Sequence, residues 1–463
     1  MSLEISGGAE PAAPKRRSRG GGLAEFLVDG SPPAAARQRA AAAIGDTAGV
    51  ILAGAREPAA RMVQQMVADE SAGVCRVLGA AGTAGPGGAA LANGVAAHAL
   101  DFDDMCFVSL AHPSCALVPA ILAAGEVSHA PGGALLDAYV IGFELECRLG
   151  NAMNPRHYHE RGWHCTSTIG TLGAAAASAR VLGLRAEQTR QALGIAASAA
   201  SGLKENMGSM VKPLHAGMAA RNGLMAARLA SRGFAASADA LDGPQGFLAA
   251  MDSQEPTLDG AVADLGVRWE ILETGITVKL YPSCAATHPP LDALLDLVRE
   301  NGFTHEQVDS IDIEVDSMTP RLLLYDRPTT ALEAKFSMPF CAAAAVVVGH
   351  PQVDTFDEQV IADRAVQDLM RRVDMRTNPS FDGSTPLSRT TVTVTLHDGR
   401  RLERSADGAR GYPGRLSTDD LAAKFVACAA RALTPSGASE AWNLLQTIED
   451  VTDVRQLTAV LVP

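Results

Sequence analysis

A mainly α protein, with a large all-helical domain and a smaller α+β lid domain inserted into it, is the architecture this chain predicts. Three observations predict it. Hydrophobic residues make up 47% of the 463 residues and aromatics only 4%, so small side chains must fill the core, which suits helices packed at close range. Apolar positions recur at three- and four-residue spacing over most of residues 23–270 and again from Leu416 onward. Between those stretches the spacing shortens to alternation in Val308 to Val315 and Thr390 to Arg404, the period of strands with one buried face. The division that follows is a disordered tail over 1–22, a helical domain over 23–270 plus 405–463, and the lid domain over 271–404.

In chain order, the tail holds Lys15, Arg16, Arg17 and Arg19 with no amphipathic face, which reads as disorder rather than a targeting signal. Ala34 to Ala55 and Glu57 to Ala72 read as helices, Val74 to Leu78 as an extended piece, and 79–88 as a Gly/Ala loop. A small-residue helix from Leu91 runs into Asp101, Asp103 and Asp104, and His112-Pro113-Ser114 then opens a helix over 115–128. The helix over 132–150 carries Glu144 and Glu146 in apolar surroundings. After a polar loop over 151–163, His164 leads into an Ala-rich helix ending near Leu182, and Arg185 to Ser201 is helical. Lys212 heads a helix reaching Ser231. In the insertion, WEILETGITVKLYPSC from Trp269 alternates like a strand, Asp398-Gly399 makes a hairpin turn, and helices span about 286–300, 333–348 and 357–371.

A net charge of −13 argues against nucleic acid or an anionic membrane as partner. The eight cysteines are scattered without a CxxC pair, so neither a zinc knuckle nor a disulfide framework is indicated, and a reduced, cytoplasmic setting is expected. No apolar run approaches the roughly 20 residues of a spanning helix. The glycine-rich dinucleotide and phosphate loops, HExxH and GxSxG are all missing. His157, His159 and His164 form no persuasive metal triad, so neither metal nor cofactor is expected.

Lysine usage is informative: only Lys15, Lys204, Lys212, Lys279, Lys335 and Lys424 stand among 39 basic residues. His112 and His164 precede helices and Lys212 begins one, so side chains and helix N-termini converge in a way that suits an anion. Asp101, His112, His164 and Lys212 are the strongest candidates, because a charge beside such apolar helices is costly unless paired or used. Lys279 to His288 and Tyr325 to Phe336 would face them from the insertion. Blander roles fit Lys204 as a solvated charge, His215 as a packing residue, His288 as a helix cap, and Lys335 as a partner of Glu333 or a helix carbonyl.

The runs ANGVAAHALDFDD with HPS, GWHCTSTIGTLGAAAAS, KPLHAGMAA and KLYPSCAATH resemble, in this order, the MmgE/PrpD family, which includes 2-methylcitrate dehydratase, cis-aconitate decarboxylase and iminodisuccinate epimerase. The resemblance implies a homodimer, a helical domain with an α+β lid, and a cleft that acts on a small di- or tricarboxylate without metal or cofactor. It implies that Asp101, His112, His164, Lys212, Lys279 and Tyr325 are active-site positions, the first four and Tyr325 as catalytic groups; Tyr281, Cys284 and Met105, beside them in the chain, are expected with Lys279 to contact substrate. Where the decarboxylase branch typically carries a Thr-Trp pair this chain has Met105-Cys106, and Cys284 stands where that branch tends to a His. The expectation is therefore a cofactor-independent lyase dehydrating a hydroxy-polycarboxylate of the 2-methylcitrate or citrate type. An epimerase, a decarboxylase and a non-catalytic carboxylate-binding dimer are the alternatives.

Overall fold

In the computed structural model, residues 21–70, 72–383 and 388–463 are described. The tail expected over 1–22 lies outside them as far as residue 20; Gly21 and Gly22 already belong to the first helix. Nine helices carry the first part of the fold: α1 (Gly21–Asp29), α2 (Ala34–Gly54), α3 (Pro58–Glu70), α4 (Pro86–Ala99), α5 (Pro113–Ser128), α6 (Gly132–Met153), α7 (Cys165–Val181), α8 (Ala186–Ala199) and α9 (Val211–Ala230). A short hairpin of β1 (Cys75–Val77) and β2 (Gly82–Ala84) sits between α3 and α4.

Small residues set how closely these helices approach. A Cβ at Gly94 would lie 2.7 Å from Gly217 Cα, and one at Gly217 would lie 2.4 Å from the Leu91 carbonyl oxygen. Helices α4 and α9 therefore meet backbone to backbone. That contact brings the end of α4, with its acids, beside the start of α9, with Lys212.

Two large hydrophobic cores, with two small clusters beside them, divide the described residues. The first gathers residues from Leu23 to Ile271 and again from Phe425 to Leu461, so the helices Thr418–Ala429 and Pro435–Gln446 return to pack on α2. The second gathers Tyr281 to Leu396 around a sheet ordered β4-β3-β5-β6. Strands β3 (Val308–Val315) and β4 (Val373–Thr377) pair in parallel, and β5 (Arg389–Leu396) and β6 (Arg401–Asp407) continue antiparallel. Helices His288–Asn301 and Met338–Val347 cover the sheet. Ile311, Ile313 and Val315 turn inward along β3 at the two-residue period read from the sequence, and a register shift between Val308 and Ser310 lets Val308 turn inward as well.

Three expectations change. The stretch from Trp269 pairs with no sheet strand among the described residues; it forms a single helical turn, Glu270–Glu273, and then crosses between the cores. Its alternation is real, since Gly275, Thr277, Lys279 and Tyr281 are all buried, but the neighbours that bury it come from both cores. Ser337 caps Met338–Val347, dividing the expected 333–348 helix, and Asp363 caps Arg364–Met370, dividing the expected 357–371 helix. The two crossings between cores run side by side, with the Val278 N–H donating to the Gly411 carbonyl at 2.9 Å. No helix among the described residues is long and apolar enough to cross a membrane.

Candidate active site

Helix α4 ends at Ala99, and the three carbonyls that follow its end meet cations. Lys335 Nζ donates to the Leu100 carbonyl at 2.7 Å, Lys279 Nζ to the Asp101 carbonyl at 2.8 Å and Lys424 Nζ to the Phe102 carbonyl at 2.9 Å. Positive charge at a helix C-terminus is stabilising, and here one lysine serves each of three successive carbonyls. Asp101 itself adopts φ 53°, a left-handed conformation that Asp tolerates better than most residues. The chain thereby turns out of the helix and presents the carboxylates of Asp101, Asp103 and Asp104 in three directions.

Asp101 faces Lys212 through Oδ1 and Lys279 through Oδ2, the latter at 3.0 Å. Burial pushes its carboxyl pKa up, but the two ammoniums outweigh it and hold it well below the usual carboxylate range. Burial likewise depresses Lys212, and Asp101 more than offsets this, so the net shift is upward. Asp101 and Lys212 therefore each favour the charged form of the other.

Asp103 is fully buried and accepts from His98 Nδ1 at 2.7 Å, with His112 Nδ1 at 3.4 Å from the same oxygen. Burial raises its pKa, yet the imidazoles His98 and His112 bring it below the ordinary value. His112 is fixed at the head of α5, where its N–H donates to Thr166 Oγ1 at 3.0 Å; burial lowers its imidazole pKa well below 6.5, and Asp103 only partly restores it. His112 Nδ1 makes no hydrogen bond, so its contact with Asp103 is electrostatic. Asp104 points the other way and caps α5 by accepting from the Ser114 N–H at 3.3 Å and from the Ser114 hydroxyl. Burial lifts its pKa to about 8 even so.

His164 is held at the head of α7, its N–H on the Gly202 carbonyl at 3.0 Å. Its Nδ1 lies 3.1 Å from His215 Nδ1, so one of these nitrogens donates and the other accepts. Burial drives its imidazole well below the usual pKa. His215, expected only to pack, therefore sets the orientation and tautomer of His164.

One cavity of about 330 Å³ unites these groups. The first core contributes Asp101, Met105, His112, His164 and Lys212; Lys279 comes from the crossing, and Cys284 and Tyr325 come from the second core. The Tyr325 hydroxyl rests where a side chain on Gly208 would begin, 3.0 Å from that hypothetical Cβ, and Gly208 sits at φ 82°. Met105 exchanges backbone hydrogen bonds with Thr277 at 2.9 and 2.8 Å, tying the loop after the acids to the crossing. Lys204, read as a solvated charge, lines the cavity too; it lies 3.7 Å above the Tyr158 ring and donates to the Tyr158 carbonyl.

Tyr281 is placed elsewhere. It is fully buried in the second core, and its hydroxyl donates to Asp292 Oδ1 at 2.6 Å. The chain turns at Pro282, so Lys279 and Cys284 reach the cavity while Tyr281 does not. His157 is also spent in packing, bonded to the Met251 carbonyl and to Thr168 Oγ1. Donor atoms of His98, Asp101, Asp103 and His112 lie within 4.8 Å of one another, a spacing seen in cation sites. Both Asp101 oxygens are already taken by lysine ammoniums, which a metal ion would have to displace or oppose.

Sequence reasoning missed His98 and Lys424 and gave Asp103 no partner, while Lys335, read as a partner of Glu333 or a helix carbonyl, does hold a carbonyl, that of Leu100. Lysine scarcity was the available signal for Lys424, and the position of His98 one helical turn before the acids was the signal for His98.

The chain is similar to known proteins over most of its length. Human cis-aconitate decarboxylase is 31% identical over 382 residues, covering 81% of this chain and 79% of that protein. A cis-aconitate decarboxylase-like protein of Aspergillus oryzae is 29% identical over 452 residues, 93% of each chain. Cis-aconitate decarboxylase of Aspergillus terreus is 28% identical over 433 residues, 88% of each. The MmgE/PrpD N-terminal domain family matches residues 23–258 and the MmgE/PrpD C-terminal domain family residues 281–450, and with both matches in order along one chain, the protein belongs to the MmgE/PrpD family.

Proposed function

We propose that this protein is a cofactor-independent lyase that releases carbon dioxide from a small tricarboxylate of the cis-aconitate type. The observation that carries the reading is the convergence of Lys212 and Lys279 on Asp101 in a cavity also lined by His112 and His164. Loss of a carboxylate leaves the electron pair of the broken carbon–carbon bond on the skeleton, where it delocalises into a neighbouring carboxylate as a dienolate. Two buried ammoniums, oriented in advance by Asp101, stabilise that charge without reorganisation. A bound polyanion raises the pKa of the imidazoles beside it, and one of them, His112, whose charged form Asp103 supports, or His164, oriented by His215, gives its proton to carbon and is reprotonated from solvent. Curated relatives carrying the decarboxylase name over 79–93% of their own lengths support this reading.

Loss of water from a hydroxy-tricarboxylate is the second reading, and Met105, Cys284 and Tyr325 favour it. The first two put a thioether and a thiol on the cavity wall, and the Tyr325 hydroxyl is a group able to protonate a departing hydroxide. In either reaction, closure of the second core over the first, as a lid, excludes water from the charged floor.

Incubation of the purified protein with cis-aconitate, citrate and 2-methylcitrate in deuterated water tests the proposal. Carbon dioxide with deuterium fixed in the product supports decarboxylation, and release of water from the hydroxy acids supports the second reading. Deuterium wash-in with no group lost would indicate an epimerase, and binding without any exchange would refute enzymatic function.

A further inference from the structure

The floor of the cavity is ionic, with Asp101, Lys212 and Lys279 only 4%, 7% and 1% exposed. Much of the remaining wall is apolar: Met105, Leu110, Met318, Leu322, Leu324 and Phe336 all line it. The change is abrupt, since Lys212 Nζ lies 5.3 Å from the centre of the Phe336 ring. Leu324 lines the cavity while 66% exposed, a large apolar side chain facing water. A six-carbon tricarboxylate occupies on the order of 150 Å³, below the roughly 300–1,000 Å³ of ordinary small-molecule pockets, and leaves room in this one. Its oxygens surround a short skeleton, so it offers no apolar face to such a wall.

We propose that the preferred substrate is an alkyl-substituted tricarboxylate, with its carboxylates on Lys212 and Lys279 and an alkyl arm longer than methyl along Phe336, Met318, Leu322 and Leu324. This deepens the proposed function and rests on it for the carboxylate end. A distal carboxylate in place of the alkyl arm fits less well. Arg321 also lines this wall, but Lys204 already donates to the Tyr158 carbonyl, and the buried Asp316, which lines the cavity beside the 318–325 segment, opposes a second anion there.

Calorimetric binding of saturated, unreactive probes separates the arm from the chemistry: tricarballylate and its methyl, propyl and hexyl homologues. Each methylene that leaves water along the wall should tighten binding about three- to fourfold, and Leu324→Asp should flatten that gain. Leu324 is exposed, so its replacement leaves the fold intact, and the readout is the ratio of affinities between long and short probes. Equal or weaker binding of the propyl and hexyl probes overturns the inference, as does a gain that survives Leu324→Asp. Tightening by the alkyl probes when neither unsaturated nor hydroxy acids are turned over would uphold the arm and refute the lyase. Turnover of cis-aconitate with no gain from chain length would do the reverse.

Discussion

Lys279 Nζ lies 3.0 Å from Asp101 Oδ2 and 2.8 Å from the Asp101 carbonyl oxygen, so one ammonium grips both ends of a residue held in the left-handed conformation. The contact joins the first core to the crossing that leads into the second. With Lys212 on the other carboxylate oxygen, Asp101 aims two buried lysines at the same space.

The first prediction concerns those cations. Lys212→Ala should lower kcat by roughly 10²–10³ or more, the loss seen when one preorganised donor to a developing negative charge is removed. Lys212 begins α9 rather than filling its core, and Asp101 retains Lys279, so the circular dichroism spectrum should be unchanged. A variant that keeps most of its turnover would show that Lys212 only balances Asp101.

Asp103 gives the second. Its carboxylate supports the charged form of His112, so Asp103→Asn should lower the His112 pKa further and cut turnover by about 10²–10⁴. Whichever limb of the pH–rate profile His112 governs should move to lower pH, because an imidazolium that loses its anion gives up its proton more easily. Reduced turnover with an unmoved profile would make Asp103 a purely structural partner of His98.

The sequence made much of this site legible, for a physical reason. Asp101, His112, His164 and Lys212 sit at the ends of helices with small side chains, where a charged residue has no apolar job, and their types therefore announce themselves. Alternation in the 269–284 stretch correctly told which residues turn inward, but alternation cannot say whether the buried side meets a cavity or a core. Tyr281 was therefore assigned to substrate when it packs against Asp292. Lys335 and Lys424 cap carbonyls 235 and 322 residues away in the chain. Such partnerships exist only once the cores have assembled, and local spacing carries no trace of them.

The third prediction follows from Lys424. It is 7% exposed, lies 2.7 Å from Asp46 Oδ1, and Asp46 is 4% exposed. Lys424→Met strands a buried carboxylate, and urea unfolding should show a loss of about 3–5 kcal/mol. The double variant Asp46→Asn, Lys424→Met removes both charges and should recover part of that loss. Equal stability of the single variant and the parent would mean that water reaches Asp46.

Asp104 supplies the fourth. Its pKa rises from 3.8 to about 8 on folding because the group is buried, and Glu146 shifts in the same direction for the same reason. Between those values the folded chain binds more protons than the unfolded chain, so stability is greatest below about pH 4 as far as Asp104 is concerned and is lost as pH climbs through about 8. Thermal midpoints should therefore decline from neutral toward mildly alkaline pH. Asp104→Asn, which keeps the shape and an acceptor for Ser114, should flatten that decline; an unchanged slope would assign it to Glu146 or another group.

The last prediction concerns movement between the two cores. Lys279 and Tyr325 reach the cavity from the crossing and the second core, whereas Asp101, His112, His164 and Lys212 reach it from the first. A ligand with two or three carboxylates can bind both sides at once and draw them together, while a monocarboxylate satisfies only one. The crossings that must absorb the motion lie beside each other, joined by the Val278 N–H on the Gly411 carbonyl, and Gly275, Gly408 and Gly414 nearby hold positive φ angles open to few other residues. Tricarballylate should therefore slow hydrogen exchange at the Val278 amide and its neighbours, and acetate at saturation should not. The comparison depends on charge count rather than on turnover, so it holds whether the enzyme expels carbon dioxide or water. Equal protection with and without the tricarboxylate would mean a cleft already closed in the free protein, and the lid would then play no part in excluding water from the Asp101 cluster.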